Sequence, residues 1–373
     1  MRVVTIAGTR PEIIKLSRVM ALLDRTDDHV LIHTGQNHDP QLKDVFFDEL
    51  GLRPPDHQLE CAGPNAFATI GNVLNECDAL LARLAPDAVL ILGDTNSALA
   101  ALPAKRRRIP VFHMEAGNRS FDDRVPEEIN RRIVDHISDI NLPYTEHARR
   151  YLLREGIAPD LIVKTGSPQK EVLTFYRDRI DASDVLSRLG LAPGGYIAAS
   201  VHREENVDEV PRLAMLIDTM NAVHAEFGHP IVLSLHPRTR NRMETAGLTF
   251  GDGVIAMPPL GLPDYVHLQQ HGFCTISDSG TITEESSLLG FPAVTVRDSH
   301  ERPEGMDVGA VVMCGLERDP TVAAIHLARI KAERGDRTVP PDYDVDDVSV
   351  RVVNAIHSYT NLVHRRVWAR PSR

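Results

Sequence analysis

Cysteine is scarce in this sequence, and its few copies are not arranged as a metal site. The 373 residues include four cysteines: Cys61, Cys77, Cys274 and Cys314. None belongs to a Cys-x-x-Cys pair, and none lies near a histidine at the spacing of a zinc site. We therefore expect reduced, mostly buried thiols and no bound metal, as is usual in a cytoplasmic protein.

Long hydrophobic runs are also missing. No segment approaches the roughly 20 apolar residues that a membrane helix needs. The chain begins with a strand-like run, Arg2–Ala7, and not with a charged segment followed by the apolar core of a secretion signal. These absences predict a cytoplasmic protein that does not act at a membrane.

Two further absences limit the ligands. The net charge is −11, so basic residues are in deficit, which argues against a nucleic-acid partner and against an anionic membrane surface. A single nucleotide remains compatible, because it needs only a local cluster of donors. The Gly-x-Gly-x-x-Gly fingerprint is absent, which argues against bound NAD, and no cofactor is expected.

Short β-branched runs alternate with longer amphipathic segments along the chain. This alternation predicts right-handed βαβ units and mostly parallel sheets, and the length suits two domains. The predicted fold is therefore α/β, with two doubly wound, Rossmann-like domains. The predicted strands are Val3–Ala7, Val30–Thr34, Ala88–Leu92, Val111–Met114, Ile140–Leu142, Ile162–Thr165, Tyr196–Ser200, Ile231–Leu235, Val254–Met257, Phe273–Ser277 and Ala293–Val296.

Helical periodicity fills the segments between these strands. The predicted helices are Glu12–Asp24, Asp39–Leu50, Ala66–Leu84, Ser97–Arg106, Glu127–Ile137, Glu146–Glu155, Val207–Phe227, Thr239–Ala246, Pro263–His271, Thr283–Leu289, Thr321–Arg334 and Val348–Tyr359. The alternation pauses near Ser183–Gly195, and we place the two domains at residues 1–175 and 176–345. Open α/β sheets bind ligands at the carboxyl ends of their strands, so a shared crevice between the domains is expected to hold the active site.

Two cations and a carboxylate follow strands of the first domain. Arg10 would stand beside a helix N-terminus, a favourable place for an anion, and Lys15 lies further along the same helix. An exposed arginine at a capped turn is the simpler explanation, but we interpret both cations as functional. Asp94 follows Ala88–Leu92 and is either a crevice carboxylate or the cap of the next helix.

Two more carboxylates follow the next strand. Glu115 comes directly after the apolar run Val111–Met114, where a carboxylate gains nothing from the core, so we interpret it as functional. Glu127 and Glu128 follow Pro126 in the first turn of a helix. Favourable pairing with the helix dipole is a sufficient explanation for one of the two glutamates. It is a weaker explanation for a third carboxylate in the same crevice.

In the second domain, a histidine follows each of the first two strands. A lone histidine is usually structural, but His202 and His236 occupy equivalent strand ends, which favours a function. Ser279 and Gly280 form a small turn at a helix start, which offers free N–H groups to a phosphate.

Two other residues of this half complete the candidate set. Glu285, early in the helix after that turn, is suited to accept hydrogen bonds from ribose hydroxyls, and Arg302 is a further candidate cation. A capped helix with early glutamates is the alternative explanation. Carboxylates opposite a diphosphate site suggest proton transfer on a sugar whose leaving group is that diphosphate.

Together these motifs resemble the non-hydrolysing UDP-N-acetylglucosamine 2-epimerase family, essentially from end to end. The resemblance is carried by Gly8-Thr9-Arg10-Pro11-Glu12, Thr34-Gly35-Gln36, Gly93-Asp94-Thr95, Glu115-Ala116-Gly117, Pro126-Glu127-Glu128-Ile129-Asn130-Arg131, His202-Arg203, Ser279-Gly280 and Glu284-Glu285. It implies a glycosyltransferase-B-like fold, with residues 346–373 returning to the first domain, and a homodimer.

The resemblance also implies the chemistry and the roles of residues. A base removes the C2 proton of a UDP-activated 2-acetamido sugar while UDP leaves C1, and UDP then adds back after protonation of the other face. The catalytic residues that it implies are Asp94, Glu115, Glu127 and His202. The nucleotide contacts that it implies are Arg10, His236, Ser279, Gly280, Glu285 and Arg302.

Some positions depart from the pattern of the UDP-N-acetylglucosamine enzymes. Those members usually carry Ser-Gly-Gly where this chain has Ser279-Gly280-Thr281, and commonly Leu where it has Asn118. The segments around Glu115, Glu127 and Ser279 are more similar to a sister branch. That branch makes UDP-N-acetyl-L-fucosamine from UDP-2-acetamido-2,6-dideoxy-L-talose for capsule or O-antigen polysaccharide.

Three other hypotheses stay open at this point. The first is an epimerase that interconverts UDP-N-acetylglucosamine and UDP-N-acetylmannosamine by the same chemistry. The second is a glycosyltransferase of the same fold, against which three crevice carboxylates without an evident acceptor site argue. The third is an inactive regulator that binds a nucleotide sugar, against which the complete set of catalytic residues argues.

Overall fold

A computed structural model of the protein describes residues 1–36, 47–299 and 301–369. The chain divides into two compact units. The N-terminal unit comprises residues 1–174 and 341–373, and the C-terminal unit comprises residues 175–340. Each unit is described in turn.

Six described strands of the N-terminal unit form one parallel sheet. They are β1 (Arg2–Ala7), β2 (Asp28–His33), β3 (His57–Gln58), β4 (Ala88–Leu92), β5 (Val111–Met114) and β6 (Ile140–Leu142). Their order across the sheet is β3-β2-β1-β4-β5-β6. Every residue of β4 is buried, which is typical of a parallel strand covered by helices on both faces.

Helices cover this sheet and supply most of the side chains that pack on it. They are α1 (Arg10–Thr26), α2 (Ala66–Leu84), α3 (Ala101–Arg106), α4 (Pro126–Ile137), α5 (Glu146–Arg154) and α6 (Gln169–Phe175), with 3₁₀ turns at Asn96–Ala100 and Pro159–Leu161. One core cluster joins apolar residues of β1, β4 and α2, including Val4, Ile91 and Val73. The apolar stripe of α2 recurs every three to four residues, which is why this segment forms a helix against the sheet.

The end of the chain also belongs to the N-terminal unit. Asp342 accepts hydrogen bonds from the backbone N–H of Glu146 (2.8 Å) and from Nζ of Lys164 (2.7 Å). The last helix, which we number α16 (Val348–Trp368), packs against α1, and its His357 lies 2.9 Å from Oδ2 of Asp27. These contacts attach the last segment to the unit with which the chain begins.

Six described strands of the C-terminal unit form a second parallel sheet. They are β7 (Ile197–Ser200), β8 (Ile231–Ser234), β9 (Val254–Met257), β10 (Cys274–Ser277), β11 (Ala293–Thr295) and β12 (Val312–Met313). Their order is β12-β11-β10-β7-β8-β9. Read from β9, this is the same order as in the first sheet, so the prediction of two doubly wound parallel sheets is confirmed.

The described helices of the C-terminal unit include two short ones before its first strand. In chain order, the helices are α7 (Arg177–Asp181), α8 (Val185–Leu189), α9 (Glu204–Val207), α10 (Val210–Phe227), α11 (Pro237–Ala246), α12 (Leu262–His271), α13 (Ile282–Leu289), α14 (Pro303–Asp307) and α15 (Arg318–Glu333). Packing of α10 and α15 on the sheet builds the main core, with Leu216, Met220 and Ile325 among its buried residues.

Some predicted elements differ from the structure. The predicted strand Ile162–Thr165 is wrong, because only Ile162 pairs, in a single bridge to Asn141. The two-residue strands β3 and β12 were not predicted, since so short a run carries no periodicity. The predicted helix Asp39–Leu50 lies largely outside the described residues. Within the part of the chain that is described, no helix is both long and apolar enough to cross a membrane.

The turn between β1 and α1 requires glycine for reasons of space. A Cβ atom on Gly8 would overlap Oγ of Ser97 and Oγ1 of Thr34, which themselves lie 2.7 Å apart. Gly71, within α2, has open space at the same position. The two glycines therefore form a matched pair for substitution.

We expect Gly8→Ala to lower the free energy of unfolding by about 1–3 kcal/mol through overpacking, and Gly71→Ala to raise it by about 0.5–1 kcal/mol by removing a helix-interior glycine. Urea unfolding followed by the fluorescence of Trp368, the only tryptophan of the chain, reports on the N-terminal unit. Equal effects of the two substitutions would contradict this assignment of Gly8.

Candidate functional site

In each sheet, the strand order reverses direction between its two central strands. In the N-terminal unit this point lies between β1 and β4, and in the C-terminal unit it lies between β7 and β10. Loops diverge there, and the crevice that they leave is where doubly wound sheets bind ligands. The residues after these strands are therefore the candidate site of each unit.

The carboxylate of Glu12 holds two of these loops together in the N-terminal unit. Its Oε2 accepts the backbone N–H groups of Gly8 (2.8 Å) and Thr9 (2.7 Å), which follow β1. Its Oε1 accepts the hydroxyl of Thr95 (2.7 Å), which follows β4. Burial raises the pKa of Glu12, and the hydrogen bonds from Thr95, Gly8 and Thr9 oppose that rise. Glu12 thereby links the loop after β1 to the loop after β4 through hydrogen bonds.

Asp94 is oriented by an arginine that was not among the predicted site residues. Its Oδ2 accepts Nε (2.9 Å) and Nη2 (2.5 Å) of Arg131, while its backbone carbonyl accepts Nδ2 of Asn130 (3.0 Å). The Asp94 side chain keeps 21% of its exposure. The cap of the turn that follows is Thr95, whose hydroxyl accepts the N–H of Ser97 (3.2 Å), so the alternative that Asp94 is the cap is wrong, and Asp94 remains reachable from the crevice.

Glu115 combines an unusual backbone with a close ion pair. It follows β5 directly and has φ of +61°, a left-handed conformation that costs energy for a residue with a side chain. Its Oε2 lies 2.6 Å from Nζ of Lys15, and its Oε1 accepts Nδ2 of Asn118 at 3.3 Å. The predicted cation Lys15 therefore contacts a predicted catalytic carboxylate, at a turn whose backbone is strained.

A buried ionic network beneath these loops explains how the strained turn is held. His113 on β5 lies 2.7 Å from the carbonyl oxygen of Gly93 and 2.9 Å from Oδ1 of Asp135. Asp135 also accepts the N–H of Gly117 (3.1 Å) and Nη1 of Arg119 (2.7 Å). The chain segments next to Asp94 and Glu115 are thus bound to one carboxylate on α4.

Asp135 is charged in this setting despite its depth. Burial by itself would raise its pKa, but His113 and Arg119 hold the pKa below its usual value. Sequence reasoning missed this network, because His113 sits inside an apolar strand and its partner is 22 residues away. A histidine in the middle of a buried strand was the one available signal.

The other two predicted residues of this unit lie at helix starts. Arg10 is the first residue of α1 and Glu127 the second residue of α4, and both are half-buried. Glu127 and Arg131 are four residues apart, so they share one face of α4. That face is the one from which Arg131 reaches Asp94, and it brings Glu127 to the same edge of the sheet.

In the C-terminal unit, Asp278 binds the loop after β7. It follows β10, is fully buried, and accepts the N–H groups of His202 (3.0 Å) and Arg203 (2.9 Å) together with Nδ2 of Asn206 (3.1 Å). The predicted residue His202 therefore donates its backbone N–H to a buried carboxylate, while about half of its side chain is exposed.

The turn after Asp278 carries the predicted phosphate-binding residues. Oγ of Ser279 lies 3.0 Å from Oγ1 of Thr281, and the turn leads into α13. A Cβ on Gly280 would meet its nearest neighbour, Glu301, at 3.5 Å, so the backbone here is open rather than crowded. Glu285 on α13 is buried and accepts Nε2 of Gln269 at 2.9 Å.

The remaining two predicted residues differ in their surroundings. Arg302 is buried, with Nη2 lying 3.4 Å from Oε2 of Glu284. His236 is exposed and directly precedes α11. Gln269 was missed by sequence reasoning, and Glu284 was quoted in the Glu284-Glu285 motif without a role, because each acts by contacting a predicted residue.

The four cysteines are buried or half-buried thiols, and their surroundings disfavour the reactive thiolate form. Cys61, Cys77 and Cys274 are buried and Cys314 is half-buried, and none forms a disulfide. Burial raises the pKa of Cys61 and Cys314 to about 11 and of Cys274 to about 12. Within the described ranges, no group of three or more His, Cys, Asp or Glu side chains is arranged to hold a metal ion.

Comparison with protein families gives one match over most of the chain. Residues 21–357 match the model of the family described as UDP-N-acetylglucosamine 2-epimerase. The chain is also 36% identical over 342 residues to the UDP-2,3-diacetamido-2,3-dideoxy-D-glucuronate 2-epimerase of Pseudomonas aeruginosa. That alignment covers 90% of this chain and 94% of the relative.

Solved structures are similar over the full length. A UDP-N-acetylglucosamine 2-epimerase from Rickettsia bellii has a TM-score of 0.92 at 44% identity and covers 99% of this chain and 100% of its own. The Methanocaldococcus jannaschii UDP-GlcNAc 2-epimerase in complex with UDP-GlcNAc and UDP has a TM-score of 0.90 at 31% identity. It covers 96% of this chain and 100% of its own.

The network around Asp135 predicts a pH-dependent stability. Because its pKa is lower in the folded state, Asp135 contributes stability above the unfolded pKa near 3.8 and loses it as the pH falls through the folded value. At pH 7 we expect Asp135→Asn to cost about 3–5 kcal/mol, since it leaves buried cationic partners unpaired. The deficit relative to wild type should shrink below pH 4 in urea titrations of Trp368 fluorescence.

Asp78→Asn is the control for this experiment. Asp78 forms a similar pair with Arg107, with distances of 2.6 and 2.7 Å, but on the surface. Exposed pairs contribute little, so its effect should be much smaller. A loss for Asp135→Asn that is no greater than this control, or that does not change with pH, would show that the network is not what stabilises the loops.

Proposed function

The chain belongs to the UDP-N-acetylglucosamine 2-epimerase family, and on this premise we propose that it inverts C2 of a UDP-2-acetamido sugar through elimination and re-addition of UDP. As a UDP-sugar 2-epimerase it is an isomerase. The single observation that carries the proposed mechanism is the pair of cation-bound carboxylates at one edge of the first sheet, Glu115 with Lys15 and Asp94 with Arg131.

The reaction must break a C–H bond that is not acidic. We propose that a carboxylate takes the C2 proton while the C1–O bond breaks and its electron pair leaves with UDP, which gives a C1=C2 double bond in a 2-acetamidoglycal. A proton is then delivered to the opposite face of C2, and a phosphate oxygen of UDP attacks C1. Atoms and electrons balance without an oxidant or reductant, because the product is an isomer of the substrate.

The N-terminal unit supplies the proton-transfer groups in this proposal. Lys15 lies 2.6 Å from the carboxylate of Glu115 and Arg131 lies 2.5 Å from that of Asp94, so both proposed proton-transfer groups are held in place by a cation. Glu127, on the same helix face as Arg131, is the third carboxylate. Two faces of C2 need one group that removes a proton and another that returns it, which a set of three carboxylates can provide.

The C-terminal unit supplies the groups for the nucleotide and the leaving group. Departure of the diphosphate drives the elimination, so donors and cations that stabilise its developing charge contribute much of the catalysis. We propose that the open turn at Ser279 and Gly280 binds phosphate oxygens and that Glu285 accepts from the ribose. His202 takes part in catalysis, and Arg302 and His236 contact the nucleotide. Arg10, which belongs to the N-terminal unit, is a further proposed nucleotide contact.

We propose UDP-2-acetamido-2,6-dideoxy-L-talose as the substrate and UDP-N-acetyl-L-fucosamine as the product. Support comes from two of the positions at which the chain departs from the UDP-N-acetylglucosamine enzymes. Asn118 lies 3.3 Å from the carboxylate of Glu115, and Thr281 lies 3.0 Å from the hydroxyl of Ser279. Both departures contact proposed site residues, where a change of sugar would be accommodated.

The wider role follows from that substrate. We propose that the enzyme acts in the cytoplasm as a homodimer and that its product serves capsule or O-antigen polysaccharide. In this proposal the N-terminal unit, predicted as residues 1–175 with 346–373 and extended in the structure to include residues 341–345, is the catalytic domain, and the C-terminal unit is the UDP-binding domain. The alternative substrate is UDP-N-acetylglucosamine, which is supported by the names of several relatives.

Deuterium incorporation tests the reaction and the substrate together. We expect the protein in D₂O, without added metal or NAD, to convert UDP-2-acetamido-2,6-dideoxy-L-talose into its C2 epimer with deuterium at C2, as followed by proton NMR. A parallel sample with UDP-N-acetylglucosamine should show neither. Exchange only in the second sample would make UDP-N-acetylglucosamine the substrate, and exchange in neither would refute epimerisation of both sugars.

Asp94→Asn tests the role of the carboxylates. We expect kcat to fall by about 10²–10⁴-fold, the contribution typical of a proton-transfer group, while the Kd for UDP measured by calorimetry stays nearly unchanged. Asp78→Asn, which alters a surface aspartate also bound by an arginine, should leave kcat unchanged. Retained turnover in Asp94→Asn would remove Asp94 from the mechanism.

A further inference from the structure

The carboxylate of Asp278 is surrounded by donors. It is fully buried, and its Oδ2 accepts the N–H of Arg203 (2.9 Å) and Nδ2 of Asn206 (3.1 Å). The N–H of His202 lies within 3.2 Å of both oxygens. Because these neighbours only donate, the carboxylate oxygens act as acceptors in this loop.

The imidazole of His202 approaches the same carboxylate. Its Nδ1 lies 3.2 Å from Oδ1 of Asp278, which is a close approach of the ring to the carboxylate. Within the part of the chain that is described, Nε2 of His202 contacts no hydrogen-bond partner, and 48% of the side chain is exposed. One ring nitrogen therefore lies close to a buried carboxylate, while the other is available to a ligand.

We propose that Asp278 is a positioning residue for His202, which keeps the proton of the neutral ring on Nδ1 and leaves the Nε2 lone pair directed to the ligand. The inference deepens the proposed function and rests on it only for the role of His202 in turnover. A carboxylate at one imidazole nitrogen sets the tautomer and orientation of the ring, and it stabilises the imidazolium that forms when the other nitrogen takes a proton.

Neighbouring charges do not offer His202 another partner of this kind. Nε of Arg203 donates to the backbone carbonyl of Asp278 (3.2 Å), and its Nη1 lies 3.8 Å from Oε1 of Glu301. Burial raises the pKa of the Tyr265 hydroxyl, and the nearby carboxylates add to that rise, so Tyr265 stays neutral. Asp278 is the carboxylate within reach of the ring among the described residues.

A purely structural role for Asp278 predicts something different. If Asp278 only anchored the loop after β7, its carboxylate would need only the hydrogen bonds from the backbone N–H groups of His202 and Arg203 and from Asn206. The His202 ring would then be free to adopt either tautomer. Asn206 separates the two roles, because its side chain contacts the carboxylate and the carbonyl of Val296 (3.3 Å) but not the ring. Removing it loosens the loop and leaves the His202–Asp278 pair in place.

The test is nitrogen NMR of the full-length protein labelled with ¹⁵N-histidine, with the His202 signal assigned by its absence in His202→Gln. At a pH where the ring is neutral, we expect His202 of the wild type to be the Nδ1–H tautomer. In Asp278→Asn, which can place an amide N–H at Nδ1, we expect the Nε2–H tautomer. We also expect kcat to fall about 100-fold or more at nearly unchanged Kd for UDP.

Asn206→Ser is the matched control, and we expect lower thermal stability, the Nδ1–H tautomer and a smaller loss of kcat. An Nε2–H tautomer in the wild type overturns the proposal, even if Asp278→Asn fails to fold. So does an unchanged tautomer in folded Asp278→Asn. Absence of epimerase activity in the wild type refutes the proposed function instead, because the tautomer is measured without turnover.

Discussion

The structure depends on buried carboxylates that accept hydrogen bonds from backbone N–H groups at the points where parallel strands end. Beyond the last ladder bond, loop N–H groups have no strand partner, and leaving them buried and unpaired is costly. Glu12 accepts two such groups after β1, Asp135 accepts that of Gly117 after β5, and Asp278 accepts two after β7. Each carboxylate thereby fixes a loop that carries proposed site residues.

Anchoring and reacting carboxylates are distinguished by their surroundings. Asp135 and Asp278 are fully buried and hold several donors each. Asp94 and Glu115 keep partial exposure, and each is paired with one cation from a helix, Arg131 or Lys15. A carboxylate that must exchange a proton with a ligand needs this second environment, because the ligand has to reach it while its side chain is held in position.

The general fold was predictable because the same sequence pattern, a strand followed by a helix, recurs along the chain. Each buried strand shows a β-branched run and each long helix an apolar stripe, so errors concentrate in elements too short for periodicity, such as β3, β12 and the helices between Gln169 and Leu189. Most strand-end residues of the site were found by the same logic, although Asp278, which directly follows β10, was not. Arg131, His113 and Asp278 were missed as site residues, because their importance lies in contacts with residues distant in sequence.

By itself, the sequence determined the two parallel sheets, their helices and the positions directly after each strand, since these follow from local patterns and from the way in which parallel strands are connected. Only the tertiary structure decided which side chains meet. It paired Lys15 with Glu115 across 100 residues and Asp278 with His202 across 76. Such pairs depend on the order of strands in a sheet, which brings distant segments together without leaving a local trace in the chain.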